Sequence, residues 1–517
     1  MIRLFFILLF FVSLRAHAEV YNGVTGNCTW SFDSESGLIT ISGEGAMEDY
    51  ISYKDTPWYP YRPLITSILI EEGVTAIGEF AFCYCEKVTT VSFSPTIKTI
   101  GTSAFSDCKR LVELEIPEGV VSVGSSAFKN CLVLRTVTLP STLTSLGYGT
   151  FEGCVKFSTI SIPEGIEVIE PYSFSNCLGL TKVSLPTNLK KIGDYAFSDC
   201  GKLRVINLPE MVDSIGVGAF ANCVTLTSIS VPANMTSISP STFAGCTKLK
   251  TVDIPNSIVS IGSSAFEDCS ALSEIEIPST VTYVGENVFY SCSSLQKIII
   301  PDLSAWFRIE CGNEFSLPTS TNVDHFLYNA DDVELKEITI PKGLVLIPSH
   351  AFKRCVGLKE VLISDGIESI GDYAFSYCTG LVSVTIPSSV TNIGSSAFSD
   401  CTGLASLTAL METPVSIKTK NIIPSSLNIT LYVPYGTREA YIKAGWTEKL
   451  FSGGIIELPE KHLYGDVNED NYVDISDVVA AINQIAGQAS WRFADVNEDN
   501  IVNIADIVAI INVIAAQ

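Results

Sequence analysis

The twelve residues from Asp466 read DVNEDNYVDISD, and a near copy from Asp495 reads DVNEDNIVNIAD. Carboxylates and amides at positions 1, 3, 5, 9 and 12 have the spacing that wraps oxygen donors around a calcium ion. In the first loop Asp466, Asn468 and Asp470 supply side-chain oxygens and Tyr472 a backbone carbonyl. Asp474 binds directly or through water, and Asp477 closes the site from the first turn of a helix. The second loop gives the same roles to Asp495, Asn497, Asp499, Ile501, Asn503 and Asp506, so two Ca²⁺ ions are expected. Position 6 is Asn471 or Asn500 instead of glycine, and Asn tolerates the left-handed conformation that a sharp turn demands. Position 12 is the shorter Asp in place of Glu. Residues 463–517 hold nine acidic side chains and one basic, Arg492, so this segment is expected to pack poorly without metal.

Other residues suggest chemistry more weakly. Glu113 and Glu115 alternate on one strand and point the same way about 6.5–7 Å apart, near the separation of paired glycosidase carboxylates. Glu274 and Glu276 repeat the arrangement. An open sheet, however, supplies no water-excluding site to raise one pKa. Beyond residue 18 the histidines are His325, His350 and His462, and no Ser or Cys sits in a strained nucleophile turn. Phosphate loops are absent, and Gly43-Glu44-Gly45 reads as a turn. No catalytic residue is assigned, and the chain is not expected to be an enzyme.

The elements that position these groups are set by a period. Cys85, Cys108, Cys131, Cys154, Cys177, Cys200, Cys223, Cys246, Cys269 and Cys292 recur every 23 residues, and the step resumes at Cys355, Cys378 and Cys401. A fixed period marks a repeat array in which each Cys fills the same corner of successive coils. The ladder is therefore read as buried free thiols, not as a framework of disulfides. The repeat is LxxVxIPxxVxxIGxxAFxxC, as in Leu111 to Cys131. Its first six residues alternate as a short strand that stops at Pro. The Gly after Ile or Val (Gly101, Gly124, Gly193) suits a tight bend. Phe105, Phe128, Phe151 and their successors bury one ring per coil. Strand starts from Ile65 to Leu404 predict about fifteen short parallel strands. The outward positions, among them Glu113/Glu115, Thr136/Thr138, Lys182/Ser184, Ser228/Ser230 and Thr251/Asp253, make a small, hydroxyl-rich face without aromatic platforms. One irregular coil, residues 295–334, holds Trp306, Phe307, Cys311, Phe315, His325, Phe326 and Tyr328. It reads as a satellite core under a bulge, or else as a ligand loop.

Compartment and charge narrow the partners. Met1 to Ala18 has one early positive charge, an apolar run from Leu4 to Leu14, and the small-x-small Ala16-His17-Ala18. It reads as a signal peptide cleaved after Ala18, so a secreted or cell-surface protein is expected. The apolar run is too short for a permanent anchor, and no membrane insertion is expected. Without the two basic residues of that leader, 30 basic face 56 acidic residues, a net charge of −26. Such a surface excludes nucleic acid.

From Cys28 to about Leu458 the pattern closely resembles the BspA-like, treponemal-type bacterial surface leucine-rich repeats. The flanks LITISGEGAMEDY and TLYVPYGTREAYIKAGW resemble that family's own. The duplicated loop-helix, 29 residues apart, resembles a type I dockerin, the module that docks exported proteins onto cohesin domains. Loop positions 10 and 11, often cohesin contacts there, are Ile475/Ser476 and Ile504/Ala505. The resemblance implies an α/β repeat fold: a curved leucine-rich-repeat solenoid followed by a small α-helical calcium-binding domain. The expected boundaries are leader 1–18, N-terminal cap 19–64, repeats 65–410, C-terminal cap and linker 411–460, and dockerin-like domain 463–517. The implied function is an exported, non-catalytic binding or adhesion protein. Its repeats would engage host-matrix or bacterial surface proteins, or glycans, and its terminal module would dock a cohesin-like partner. The alternative is a scaffold or accessory subunit of a dockerin-assembled polysaccharide-degrading complex.

Overall fold

A computed structural model describes residues 19–418, 421–424, 427–459, 465–468, 472–487, 491, 493–497 and 501–516. The leader 1–18 lies outside the described residues. The chain divides into two compact units. One holds the residues up to Val382 with Asn392–Leu404, and the other Ser383–Thr391 with most of the chain from Ala405 onward.

The first unit opens with an antiparallel meander, Val20–Thr25, Cys28–Asp33 and Leu38–Gly43, whose third strand pairs parallel with Ser67–Ile70. From there the described strands pair in parallel and coil stacks on coil as a β-solenoid. Glu113–Glu115, Thr136–Thr138, Thr159–Ser161 and Lys182–Ser184 align in register, with Leu114, Val137, Ile160 and Val183 buried between exposed neighbours. The coils also carry a second strand, two residues long in most of them, that alternation in the sequence does not reveal. Thr99–Ile100, Ser122–Val123 and Ser145–Leu146 form such a ladder. The rest of each coil is turn. Among the described residues of the repeats the one α-helix is α1, Leu303–Trp306.

The glycine after that second strand is required for a reason other than a bend. Gly147 has no positive φ, but a Cβ there would lie 2.4 Å from the backbone nitrogen of Ser125 in the preceding coil. Gly124 and Gly371 are equally confined, at 2.6 Å and 2.4 Å. The bends fall instead on polar residues such as Ser103 and Asp107 or Ser126 and Asn130, with φ of 51°, 60°, 53° and 57°. Short polar side chains tolerate this left-handed region.

Phe82, Phe105, Phe128, Phe151, Phe174, Phe197, Phe220, Phe243, Phe266 and Phe289 stack face to face with centroids 5.2–5.8 Å apart. Trp58 ends the row against Phe82, and its indole N–H donates to the carbonyl of Ala81 at 2.8 Å. All sixteen cysteines are free, and the thirteen ladder thiols are buried. The Cys154 thiol donates to the carbonyl of Phe128, and Cys177 to that of Phe151, each at 3.2 Å, so thiol and ring knit adjacent coils. Burial pushes the Cys177 thiol up, and that of Cys246 to about 12.

Two coils deviate. The coil from Leu203 buries Leu203 and Ile206 but has no strand at Val205–Asn207. The irregular coil does not bulge out of the array. It continues both ladders, Glu310–Cys311 pairing with Tyr283–Val284, and Phe326–Tyr328 with Lys297–Ile299. Trp306, Phe307, Ile309, Leu317 and Leu327 are buried within it. His325, fully buried, ties the start of this coil to its end and to the coil that follows. Its Nδ1–H donates to the Leu295 carbonyl at 2.9 Å, because a carbonyl can only accept, which leaves Nε2 to accept from the Thr321 hydroxyl at 3.2 Å. Its backbone N–H donates to Arg354 O at 2.8 Å.

In the second unit Ser383–Ile386, Ser406–Ala409, Thr430–Val433 and Ile455–Glu457 form a parallel ladder. It is closed by helix α2, Arg438–Ala444, whose buried Tyr441 donates to the carbonyls of Ala409 and Met411 at 2.9 and 2.8 Å. Toward the C-terminus, helices α3 (Ile475–Ile485) and α4 (Ile504–Ala516) enclose a small core of Val467, Val473, Ala480, Ala481, Ala494, Val496 and Ile510.

Phe197→Ala should lower stability by about 3–5 kcal/mol through lost burial and the residual cavity, read as the chemical-denaturation midpoint. Desolvation lowers the His325 pKa from 6.5 to about 4. The unfolded chain therefore takes the proton first. This contribution is full above pH 6.5 and falls by about 3 kcal/mol by pH 4. Between pH 6.5 and 5, where carboxylates titrate little, His325→Gln should flatten the loss of stability.

Candidate metal loops and the strand face

In the first terminal loop a single carboxylate sets the backbone. Asp477, fully buried on the first turn of α3, accepts at Oδ1 from the N–H groups of Val467 and Asn468 at 2.7 and 3.1 Å. Its Oδ2 accepts from Asp474 N–H at 2.9 Å, while Asp474 caps the helix by accepting from Ser476 N–H at 2.7 Å. Those bonds to Ser476, hydroxyl and amide, lower the Asp474 pKa. The second loop repeats the device. Asp506, also fully buried, accepts from Val496, Asn497 and Asn503 N–H at 2.7, 3.0 and 2.8 Å. Asn503 caps α4 through Ala505 N–H at 2.7 Å. Position 12 thus ties the start of each loop to its helix, a role that ligand spacing alone did not reveal.

The remaining expected ligands are distributed as follows. Asp466 is 3% exposed, Asn468, Asp495 and Asn497 are half-buried, and Asp474 is exposed. Tyr472 and Ile501 project into solvent, as suits positions that contribute only a backbone carbonyl. Asp470 and Asp499, position 5 of each loop, lie outside the described residues. Among the described residues no three His, Cys, Asp or Glu side chains converge tightly enough to hold a metal. The donor chemistry nonetheless fits calcium. Residues 463–517 contain no Cys or His, only hard oxygen donors. A carboxylate has roughly four acceptor sites, and the three amide bonds leave Asp477 and Asp506 one each for a cation.

The apolar residues beside these loops are strongly exposed. Ile475, Val479 and Ile482 line one side of α3, and Ile504, Val508 and Ile511 stand at the equivalent positions of α4. Ser476, at loop position 11, accepts at its hydroxyl from the Asn468 side chain at 2.7 Å.

On the strand face Glu113 and Glu115 are exposed on either side of buried Leu114, and Glu274 and Glu276 flank Ile275. Glu274 lies 3.5 Å from the Lys297 ammonium. The expectation of a face without aromatic rings is corrected here. Phe326, 37% exposed, and half-buried Tyr328 flank buried Leu327 on the same face. The irregular spacing of residues 295–334 hid their strand register from the sequence.

Comparison with known proteins supplies the family. A model of the BspA type leucine rich repeat region matches residues 59–169, 98–227, 213–311 and 321–430. The chain belongs to the BspA-type leucine-rich-repeat proteins. A type I dockerin domain matches residues 464–515 and takes in both loops and both helices. A solved leucine-rich repeat protein from Bacteroides ovatus is 27% identical, covering 85% of this BspA-type chain and 100% of its own, with a TM-score of 0.49. A leucine rich cell surface protein from Faecalibacterium prausnitzii is also 27% identical, covering 57% and 98%, with a TM-score of 0.34. Among curated proteins none matches.

Titrating Ca²⁺ into the metal-free chain should show saturable uptake by calorimetry, with EDTA melting α3 and α4 while the repeats keep their transition. Asp470→Ala should weaken one site and Asp499→Ala the other. No heat of uptake would remove calcium from both loops.

Proposed function

We propose that this is an exported, non-catalytic binding and adhesion protein. Its repeats engage a macromolecule through the strand face, and its dockerin, carrying two Ca²⁺ ions, ties that surface to a cohesin-like protein. The observation that carries the reading is the coexistence of an extended, exposed strand face and a dockerin domain in one chain. Calcium would be held in the first loop by Asp466, Asn468, Asp470, the Tyr472 carbonyl, Asp474 and Asp477. The second would use Asp495, Asn497, Asp499, the Ile501 carbonyl, Asn503 and Asp506. A bound ion would neutralise the carboxylates crowded into each loop. Because it binds the folded loop preferentially, its binding free energy becomes folding free energy.

Against catalysis, both carboxylate pairs stand on an open face, where neither desolvation nor substrate distortion operates. For export, the support is the leader-like sequence of residues 1–18. Among the described residues, moreover, no helix is long and apolar enough to cross a membrane. Host-matrix or bacterial surface proteins, or glycans, are the proposed targets of the repeats. The dockerin itself favours a second reading, an accessory or scaffold subunit of a polysaccharide-degrading assembly.

Full-length protein should bind a cohesin domain from the same organism in Ca²⁺ and release it in EDTA. It should liberate no reducing sugar from glycans, with Glu113→Gln and Glu274→Gln indistinguishable from wild type. Glycan hydrolysis abolished by either substitution would overturn the non-catalytic reading, and failure to bind any cohesin would overturn the docking one.

A further inference from the structure

On the strand face of the repeats, a groove, hydrogen-bonding groups and aromatic rings adjoin. Where the ladder lapses at Val205–Asn207, a groove of about 540 Å³ opens and crosses the strands Ser228–Ser230, Thr251–Asp253 and Glu274–Glu276 as far as Ile299. Four coil steps at about 4.8 Å make it about 19 Å long. Its floor is built of short acceptors and hydroxyls, with the Ser230 hydroxyl donating to Asp253 Oδ2 at 2.7 Å. The strand next to Ile299, the last residue lining the groove, carries the aromatic pair, with Lys297 aligned with Phe326 and Ile299 with Tyr328. The Lys297 ammonium lies 5.0 Å from the Tyr328 ring centre and is held between Glu274 and Asp332, at 3.5 and 2.5 Å.

We propose that this groove binds an uncharged polysaccharide laid along the repeat axis, with its hydroxyls donating to Asp253, Glu274 and Glu276 and a terminal ring against Phe326. The assignment rests on the reading of the strand face as the binding surface of a non-catalytic protein.

Three features select this occupant. An extended peptide gains most of its affinity on a sheet by pairing its backbone with an open edge. Here each strand from Ser228 to Ile299 lies between two other coils that bond to its own coil through the backbone, which leaves no room beside it for a peptide, and the floor presents side-chain acceptors. Sugar hydroxyls donate to such carboxylates in charge-assisted bonds. The apolar C–H face of a pyranose suits an exposed aromatic ring, which takes apolar surface out of water. Charge then decides among glycans. Asp253, Glu274, Glu276 and Asp332 outnumber the single Lys297, so sulfated or uronic polymers are repelled.

The test uses full-length protein with Ca²⁺ and soluble β-glucan, xylan, mannan and α-glucan, with dextran sulfate as the polyanion. Binding is read by calorimetry and by retardation in affinity gels. At least one neutral polymer should bind and dextran sulfate should not. Phe326→Ala and the pair Asp253→Ala/Glu276→Ala should each weaken binding at least tenfold with unchanged melting temperature. Glu113→Ala, outside the groove, should not. No binding across the neutral panel, binding unchanged in both groove variants, or preference for dextran sulfate would each overturn the proposal. So would retention of a cationic probe, hen lysozyme, in place of glycan. Cohesin binding and the absence of hydrolysis are measured on the same samples. Loss of the groove alone refutes this assignment, whereas hydrolysis refutes the broader reading.

Discussion

Parallel strands hydrogen-bond at about 4.8 Å, and in an array whose coils cannot bury their own edges this one distance dictates what each position of the repeat tolerates. The Phe rings lie 5.2–5.8 Å apart, slightly more than the strand spacing, so they stack face to face with little tilt. The Cys corner leaves a thiol beside the previous coil's carbonyl, and a weak donor is placed where a larger side chain would have no room. The glycine after the second strand follows from the same closeness, since a single Cβ would enter the neighbouring backbone. Ring, thiol and glycine are three answers to one spacing.

The C-terminal domain works in the opposite regime. Seven buried side chains, three of them alanine, make a core too small to hold two helices firmly by burial alone. Two buried carboxylates take over part of that work. Asp477 and Asp506 each gather three backbone N–H groups, and charge-assisted bonds of 2.7–3.1 Å are roughly twice as strong as neutral ones. An anion so placed also favours the positive end of its helix. The cost is a negative charge out of water, which a cation held in the loop would offset.

The repeat architecture was legible because its period is long and its marked residues are rare: a Cys or Phe every 23 positions cannot arise from composition. The second ladder was not legible, since two residues such as Thr99–Ile100 are too short for alternation to show. Glycine was legible as a constraint and misassigned in cause. Sequence shows that a Cβ is missing at Gly147, whereas only packing shows what it would strike. The left-handed bends at Ser103 and Asp107 were hidden because Ser and Asp are common in any turn. Phe326 and Tyr328 were noticed as residues and lost as a surface, because the shift in spacing concealed which side of the strand they occupy. In the terminal loops, calcium spacing was plain, while the amide-gathering role of Asp477 and Asp506 depends on three-dimensional closure.

The stacked thiols carry a consequence for endurance in an oxidising medium. A buried thiol that already donates to a carbonyl and resists ionisation offers oxidants almost no thiolate. Oxidation must wait for a coil to open, so its rate scales with the population of opened coils and becomes independent of the oxidant only where oxidation outpaces reclosing. The coil that opens most often exposes its thiol first. The protein's working lifetime in an oxidising medium is therefore a matter of kinetics, a clock wound by the slowest-opening coils and stopped by the first to fail.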